Sequence, residues 1–268
     1  MNPKNSTTKN CRSFHSRNCF AWLVIVATIW MPLTTWAEDQ VSAKQFPSIA
    51  LADHFSCIDA RQDVDLGCGF LLKHRNRIYA VSAKHILGAL KLKNPNIAGV
   101  DHVCLEGPLR ALTLFSKQNP AETVALGKLL NEDRNGNLNS RQSTKEDWLV
   151  FEITTNVSHV QPLELRNTPM QPGEKLFVVG WTNGQTNGPQ RTYEFEYYKT
   201  IGTRILLKDV IVPAKLGGLS GSPVVDESGR VVALVSNGTV DPDTGKKMFS
   251  PCLLTGLAAF LDKPPAKK

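Results

Sequence analysis

Residues 217–223 read Gly-Gly-Leu-Ser-Gly-Ser-Pro and lie between two apolar stretches, 205–212 and 224–235, that are rich in Ile, Leu and Val and typical of β-strands. A serine between glycines in a tight turn presents its hydroxyl with little steric hindrance, and backbone N–H groups of such a turn can converge on one point. An acyl-transfer nucleophile with an oxyanion hole needs this arrangement. This segment alone leaves open a simple Gly/Ser/Pro turn that joins two strands.

A second segment places a histidine just past the end of a predicted strand. Residues 69–72 and 78–82 are apolar, and the polar residues 73–77 between them predict a turn. His85 follows the second strand by a few residues. An ordinary polar residue at a strand end is the alternative for His85. The other histidines lie in no comparable context, and no histidine has the spacing to a Cys or Glu that a metal site needs.

A third segment places an aspartate at the start of a strand. Asp147 directly precedes the apolar run 148–153. Asp is common in turns before strands, which is the alternative for this residue. Together with His85 and Ser220, however, it gives the chain order His, Asp, Ser, each at a strand edge or turn. That order is typical of chymotrypsin-like proteases and differs from the orders in subtilisins and α/β-hydrolases.

The chain resembles the trypsin/chymotrypsin-like serine proteases, particularly their bacterial glutamyl-endopeptidase and HtrA-like branches. The resemblance covers roughly residues 47–262. Four stretches carry it: Gly-Cys-Gly-Phe-Leu-Leu (67–72), Val-Ser-Ala-Lys-His-Ile-Leu (81–87), Asp-Trp-Leu-Val-Phe (147–151) and Gly-Leu-Ser-Gly-Ser-Pro (218–223). They are similar to the family's Gly-Ser-Gly-Phe, Leu-Thr-Ala-Ala-His-Val-Leu, Asp-x-Ala-Leu-Leu and Gly-Asn-Ser-Gly-Gly/Ser-Pro segments. A peptide-binding PDZ module, which HtrA-like proteases usually carry, is not expected.

The resemblance implies an all-β fold of two six-stranded antiparallel β-barrels, residues about 40–160 and 165–252, with the active site in the cleft between them. Short apolar runs that alternate with turn residues along the chain independently favour a barrel or sandwich. The spacing of apolar residues in 253–261 predicts a short C-terminal helix. The predicted protease domain spans 38–262, and residues 263–268 form a basic tail.

The resemblance also assigns catalytic roles. Ser220 is the expected nucleophile, His85 its general base, and Asp147 the group that fixes the imidazole. The backbone N–H groups of Gly218 and Ser220 are expected to form the oxyanion hole. No metal and no cofactor is expected.

Substrate contacts are implied by the same resemblance. Ser236 and Gly238 match the segment that pairs with an extended polypeptide substrate, and Ala214 occupies the position that decides specificity in trypsin. An alanine there disfavours cleavage after Arg or Lys and favours small or apolar side chains, although the adjacent Lys215 could favour acidic ones. Leu219 replaces the aspartate that pairs with the new N-terminus of an activated trypsin-like zymogen, so activation by that ion pair is not expected.

Two rival functions stay open at this point. The first is a catalytically silent peptide-binding protein on the same fold, which Leu219 and the unusual Lys84 keep in play. The second is an esterase that uses the same triad. Reaction with a serine-directed fluorophosphonate separates a catalyst from a binder, and turnover of peptides separates a protease from an esterase.

The first 37 residues resemble a secretory signal. A basic, acid-free start is followed by 14 apolar residues (20–33) and by Thr-Trp-Ala at 35–37. The apolar stretch is short for a membrane span, which needs about 20 residues. Cleavage after Ala37 therefore predicts a secreted or periplasmic protein without a membrane span in the mature chain. An uncleaved N-terminal anchor is the alternative, and the oligomeric state is left undetermined.

The predicted signal also accounts for much of the basic charge. The chain has 31 Lys and Arg against 24 Asp and Glu. Residues 1–37 hold four basic and no acidic residues, which leaves 27 against 24 in the mature chain. No dense basic run remains apart from the tail, so the composition gives no case for nucleic-acid binding.

Four cysteines remain after the signal: Cys57, Cys68, Cys104 and Cys252. An oxidising compartment favours disulfides, and four cysteines allow three pairings, between which the sequence does not choose. Cys57 with Cys68 is the local candidate. A buried free thiol is the alternative for Cys68, because the matching family position is usually a small residue.

Overall fold

The computed structural model describes residues 40–57, 65–93, 102–103, 109–137 and 145–263 of the 268-residue chain. The predicted signal segment and residues 264–268 of the predicted tail lie outside these residues. Among the described residues, no helix is both long and apolar enough to cross a bilayer.

The first half of the described chain forms a closed barrel. Its elements in chain order are β1 (Ala50–Cys57), β2 (Cys68–His74), β3 (Arg77–Ala83), α1 (His85–Lys93), β4 (His102–Val103), β5 (Leu109–Phe115), β6 (Thr123–Leu129), β7 (Asp133–Asn137), β8 (Trp148–Asn156) and β9 (Leu163–Glu164). Six antiparallel strands run in the order β1-β5-β6-β8-β3-β2, and β1 also pairs with β2, which closes the barrel. The short β9 adds to β2 in parallel, while β4 and β7 form a separate ribbon.

The second half forms another closed barrel. Its elements are β10 (Lys175–Gly180), β11 (Arg191–Ile201), β12 (Arg204–Ile211), β13 (Pro223–Val225), β14 (Val231–Leu234), β15 (Thr239–Val240), β16 (Lys247–Met248), β17 (Cys252–Leu253) and α2 (Thr255–Leu261). Six strands close in the order β10-β11-β12-β17-β14-β13, and β15 pairs with β16 outside the barrel. The predicted all-β architecture of two six-stranded antiparallel barrels with a short C-terminal helix is confirmed.

The barrel cores explain the short apolar runs of the sequence. Inward side chains of β2, β3 and β8 are fully or almost fully buried, and the same holds for β10 and β14. One apolar cluster fills the first barrel and continues into residues of the second half, including Phe177, Trp181 and Leu257. A second cluster fills the second barrel. The two barrels thus pack against each other through apolar side chains, which fixes the loops that meet between them.

The structure departs from the expected element pattern at a few places. The polar segment 131–147 has the composition of a loop, but it contains β7, which pairs with β4. The sequence does not predict helix α1 either, although the first residue of this helix is His85. Both elements are short and have no clear apolar periodicity, which is why a pattern search does not find them.

Candidate active site

The three residues singled out by the sequence come from three strand edges. His85 follows the end of β3 by two residues, Asp147 directly precedes β8, and Ser220 lies in the turn that enters β13. Strands β3 and β8 pair with Ala83 opposite Trp148, so the residues just beyond them are neighbours. Contact between the barrels then brings the turn of Ser220 to the same place.

The side chains of these residues form a continuous hydrogen-bonded chain. Asp147 Oδ2 lies 2.6 Å from His85 Nδ1, and His85 Nε2 lies 2.8 Å from Ser220 Oγ. A carboxylate only accepts hydrogen bonds, so Nδ1 carries the proton and donates it. In neutral imidazole this leaves the lone pair on Nε2 facing the Ser220 hydroxyl. The arrangement can therefore take the hydroxyl proton away from Ser220.

Asp147 is held by donors on several sides. Its side chain is only 1% exposed. The backbone N–H of His85 donates to Oδ1 at 2.8 Å, and the hydroxyl of Ser236 donates to Oδ2 beside the imidazole. Burying a carboxylate is costly unless it is fully hydrogen-bonded, and these donors offset that cost. The contact from Ser236 was not anticipated: the sequence assigned this residue to substrate binding, and no local pattern links positions 89 residues apart.

The turn around Ser220 is built from two glycines in the left-handed region. Gly218 has φ +97° and Gly221 has φ +83°. The N–H of Ser222 donates to the carbonyl of Leu219 at 2.9 Å, which closes the turn behind Ser220. A Cβ on Gly221 would lie 2.1 Å from the carbonyl oxygen of Cys68, so this position has no room for a side chain.

Leu219 anchors the turn in the second barrel. Its side chain is fully buried in the apolar cluster of that barrel. The position that the resemblance compares with the zymogen aspartate is therefore stabilised by apolar packing, which does not depend on a new N-terminus.

The backbone N–H groups proposed for an oxyanion hole are available. Over the described ranges, neither Gly218 N–H nor Ser220 N–H donates a hydrogen bond to another residue. Unpaired donors in a structured turn are costly unless a ligand or water accepts from them. Two such donors beside a serine hydroxyl are suited to bind a negatively charged oxygen.

Cys68 supports the turn from the first barrel. Its N–H donates to the Ser220 carbonyl at 2.7 Å, and its thiol is 3.4 Å from the Gly218 carbonyl. Burial raises the pKa of this thiol to about 11. Cys68 is free, so its proposed pairing with Cys57 is wrong. The thiol lies next to the turn around Ser220, which explains why a family position usually held by a small residue accommodates a cysteine.

Cys252 is the second buried free thiol and lies behind Asp147. The N–H of Asp147 points to Cys252 Sγ at 3.4 Å. Burial raises the pKa of this thiol to about 11 as well. Cys104 and the side chain of Cys57 lie outside the described residues, so a pairing between these two stays open.

Lys84 adds a positive charge next to the site. Partial burial lowers the pKa of its ammonium group, while the nearby carboxylates of Asp147 and Glu146 act in the opposite direction. Its backbone N–H donates to the Asp147 carbonyl at 3.3 Å. Lys84 thus lies near the carboxylate that orients the imidazole.

The residues expected to contact substrate lie on two sides of Ser220. Ala214 and Lys215 line an open cavity of about 360 Å³ together with the segment 182–184 and Gly217. Ser236 and Gly238 lie outside any strand, between β14 and β15. Across the described residues, neither makes a backbone hydrogen bond. Such groups are suited to pair with an extended chain.

No metal centre emerges near this site. Within the described ranges, no three His, Cys, Asp or Glu side chains come close enough together to hold a metal ion. The chemistry available at the site is thus that of the imidazole, the hydroxyl, the carboxylate and the backbone donors.

Comparisons with known proteins give the same fold. The sequence model of the trypsin family matches residues 62–262. No curated protein matches the sequence. Neuropsin, a serine protease of mouse brain, is structurally similar, with a TM-score of 0.55 and 15% identity over 84% of this chain and 97% of neuropsin. A Glu endopeptidase has a TM-score of 0.56 and 11% identity over 84% of this chain and 96% of its own. Identities this low show a shared fold.

Proposed function

The chain belongs to the trypsin family of serine-type endopeptidases, and on this premise we propose that Ser220, His85 and Asp147 are its catalytic triad. The observation that carries the proposal is the unbroken chain of contacts from Asp147 through His85 to Ser220, at 2.6 and 2.8 Å. These distances are within the reach that proton transfer requires.

In the proposed first half-reaction, Ser220 Oγ attacks the carbonyl carbon of the scissile peptide bond. His85 Nε2 accepts the hydroxyl proton, and the Asp147 carboxylate stabilises the imidazolium that forms. The N–H groups of Gly218 and Ser220 bind the oxyanion; one donor of this kind contributes about 3–4 kcal/mol in a serine protease. The imidazolium then gives its proton to the leaving amine, and the C–N bond breaks.

The second half-reaction releases the acyl group from Ser220. A water molecule gives a proton to His85 Nε2 as its oxygen attacks the ester carbon. The same N–H groups bind the second oxyanion. The imidazolium then protonates Ser220 Oγ, and the carboxylic acid product leaves. The enzyme returns to its starting protonation state.

We propose that the substrate is a polypeptide bound in an extended conformation. The unpaired main-chain groups of Ser236 and Gly238 support this, because backbone pairing binds peptides of many sequences. Ala214 in the cavity wall supports a small or apolar side chain at the cleavage position. Lys215 in the same wall makes an acidic side chain the competing preference, which a peptide library with both kinds of residue tests.

We further propose that the protein is exported to the periplasm or the medium. The basic start, the apolar stretch and Thr-Trp-Ala at 35–37 support this. The mature chain then begins at Glu38.

A fluorophosphonate probe tests the nucleophile, and intact mass tests the export. We expect exported protein to take up one probe at Ser220, and its mass to match a chain that starts at Glu38. The Ser220→Ala variant is the negative control and Ser222→Ala the matched variant on the same turn. Labelling at Ser222, or none in folded protein, contradicts the proposed triad and favours the silent binding protein. Retention of residues 1–37 favours an uncleaved anchor. Turnover of esters without turnover of peptides favours the esterase.

A further inference from the structure

A carboxyl group is buried inside the first barrel, away from the triad. Asp53 lies on β1 and is fully buried. Its Oδ2 lies 3.0 Å from Ser82 Oγ. Its Oδ1 has no hydrogen-bond partner in the described part of the chain. An ionised carboxylate with one donor and one empty oxygen is expensive to bury.

The protons around Ser82 determine the state of Asp53. Ser82 Oγ lies between Asp53 Oδ2 at 3.0 Å and the carbonyl oxygen of Cys68 at 2.8 Å. A hydroxyl has one proton, and a carbonyl oxygen only accepts. If Ser82 donates to Cys68, the contact with Asp53 needs a proton on the carboxyl. A neutral Asp53 therefore satisfies both contacts, whereas an ionised one leaves one of them without a proton.

This hydrogen-bonded chain ends at the turn that carries the nucleophile. The Cys68 carbonyl that accepts from Ser82 lies directly against Gly221, because a Cβ on Gly221 would be 2.1 Å from it and 2.8 Å from Ser82 Oγ. The next link is the Cys68 N–H, which donates to the Ser220 carbonyl at 2.7 Å. The start of β2 is thus fixed on one side by Ser82 and touches the turn on the other.

We propose that Asp53 is a protonated buried acid that acts as a positioning residue, holding Cys68 and through it the Ser220 turn by a hydrogen bond to Ser82. The positioning role rests on the proposed function of Ser220. The protonation of Asp53 rests on the contacts in the barrel alone, so the two parts can be tested separately.

The charges around Asp53 act in the same direction. Burial raises the pKa of Asp53 well above its ordinary value, the negative charge of Asp65 raises it further, and only the hydrogen bond from Ser82 opposes them. Asp65 is itself hydrogen-bonded to His54, the neighbour of Asp53 on β1, at 2.9 Å. On β2, the neighbouring thiol of Cys68 is also neutral at ordinary pH, since burial raises its pKa to about 11. Opposite Asp53, β5 contributes the apolar Leu114.

A protonated Asp53 has a defined effect on stability. Its pKa in the folded protein is above its unfolded value, so folding takes up a proton. The stabilisation is fully present below the unfolded pKa, about pH 4, and is lost as pH rises through the folded pKa. Asp53→Asn cannot ionise, and its amide can donate to Ser82 Oγ. We expect the melting temperature of Asp53→Asn, relative to the native sequence, to rise with pH above about 4.

The experiment for protonation uses the inactive Ser220→Ala background, so that it does not depend on catalysis. Melting temperatures are compared with and without the additional Asp53→Asn substitution, from acid to alkaline pH. Infrared spectra of the same two proteins are compared for the carbonyl stretch of a buried carboxylic acid. We expect a pH-dependent difference in melting temperature and a band that Asp53→Asn removes. A pH-independent difference or a missing band at neutral pH overturns the protonated state, whatever Ser220 does.

The experiment for positioning uses the active chain. We expect Asp53→Ala to lower kcat/KM by about tenfold or more, mainly in kcat, and Asp53→Asn to restore it to within about threefold of the native value. If Asp53→Ala does not fold, Ser82→Ala replaces it, and Ser82→Thr, which keeps the hydroxyl, is its matched rescue. Full activity in Ser82→Ala, or no rescue by the conservative variant, overturns the positioning role. Loss of all activity in the native chain instead counts against the function of Ser220.

Discussion

At the scale of single residues, the carboxylate of Asp147 depends on a donor from far away in the chain. Ser236 follows β14 of the second barrel, and its hydroxyl donates to the same oxygen that accepts from His85. The contact crosses between the barrels, so it both satisfies the buried carboxylate and ties its position to the second barrel. Removal of one donor from a buried charged acceptor costs about 1–3 kcal/mol or more.

The variant Ser236→Ala tests this contact. We expect kcat/KM to fall about ten- to hundredfold, because the carboxylate keeps its charge but loses one donor and its fixed orientation. Ser236→Thr keeps a hydroxyl and is the matched control, for which most of the activity should return. Measurement of kcat and KM on one peptide substrate checks the result. Native kinetics in Ser236→Ala would falsify the role given to this hydroxyl.

At the scale of elements, the Ser220 turn and the start of β2 are fitted to each other without space between them. The turn requires a left-handed glycine at Gly221, and the carbonyl of Cys68 fills the position of its missing side chain. Both the backbone conformation and the space therefore demand glycine here. Gly173 has a similar φ of +88° but nothing within 4 Å of its would-be Cβ, so it demands only the conformation.

These two glycines form a matched pair of variants. Gly173→Ala should destabilise the protein by about 1–2 kcal/mol, the cost of a left-handed alanine. Gly221→Ala carries the same cost and in addition must push β2 away from the turn, so we expect a larger loss of stability and no fluorophosphonate labelling. Urea unfolding and the rate of labelling measure both effects. Equal losses in the two variants would show that the close approach of β2 is unimportant.

At the scale of the whole molecule, the C-terminal helix links the two barrels. Helix α2 follows β17 of the second barrel, yet Leu257 is buried in the apolar cluster of the first. Phe260 packs on Trp148 of β8, with ring centroids 5.5 Å apart. Since β8 begins next to Asp147, the helix supports the segment that carries the carboxylate.

Truncation of Leu257 tests this link. We expect Leu257→Ala to lower the free energy of unfolding by about 2–5 kcal/mol, because it leaves a cavity in a packed cluster. The exposed Ala259 on the same helix provides the control, and Ala259→Ser should change stability by about 0.5 kcal/mol or less. Circular dichroism in a urea series measures both. A small effect of Leu257→Ala would mean that α2 contributes little to holding the barrels together.

Much of the fold could be predicted from the sequence because its signals are local. Apolar runs such as 148–153 and 175–181 became β8 and β10, and 253–261 gave the helix α2. The chain order of His85, Asp147 and Ser220, each beside a strand, indicated the kind of fold and the candidate site. Local signals fail where an element is short or polar, as for β7 and α1, because no periodicity distinguishes them from loops.

The sequence by itself therefore determined which strands form and which three side chains belong to the candidate site, because propensity, turn chemistry and motif order are properties of neighbouring residues. Only the tertiary structure decided that Ser236 donates to Asp147, that Cys68 is a free thiol beneath the turn, and that Ser82 lies between Asp53 and Cys68. Each of these contacts joins different strands or loops through a single hydrogen bond. Such contacts have no spacing that a sequence displays, since only closure of the barrels brings their partners together.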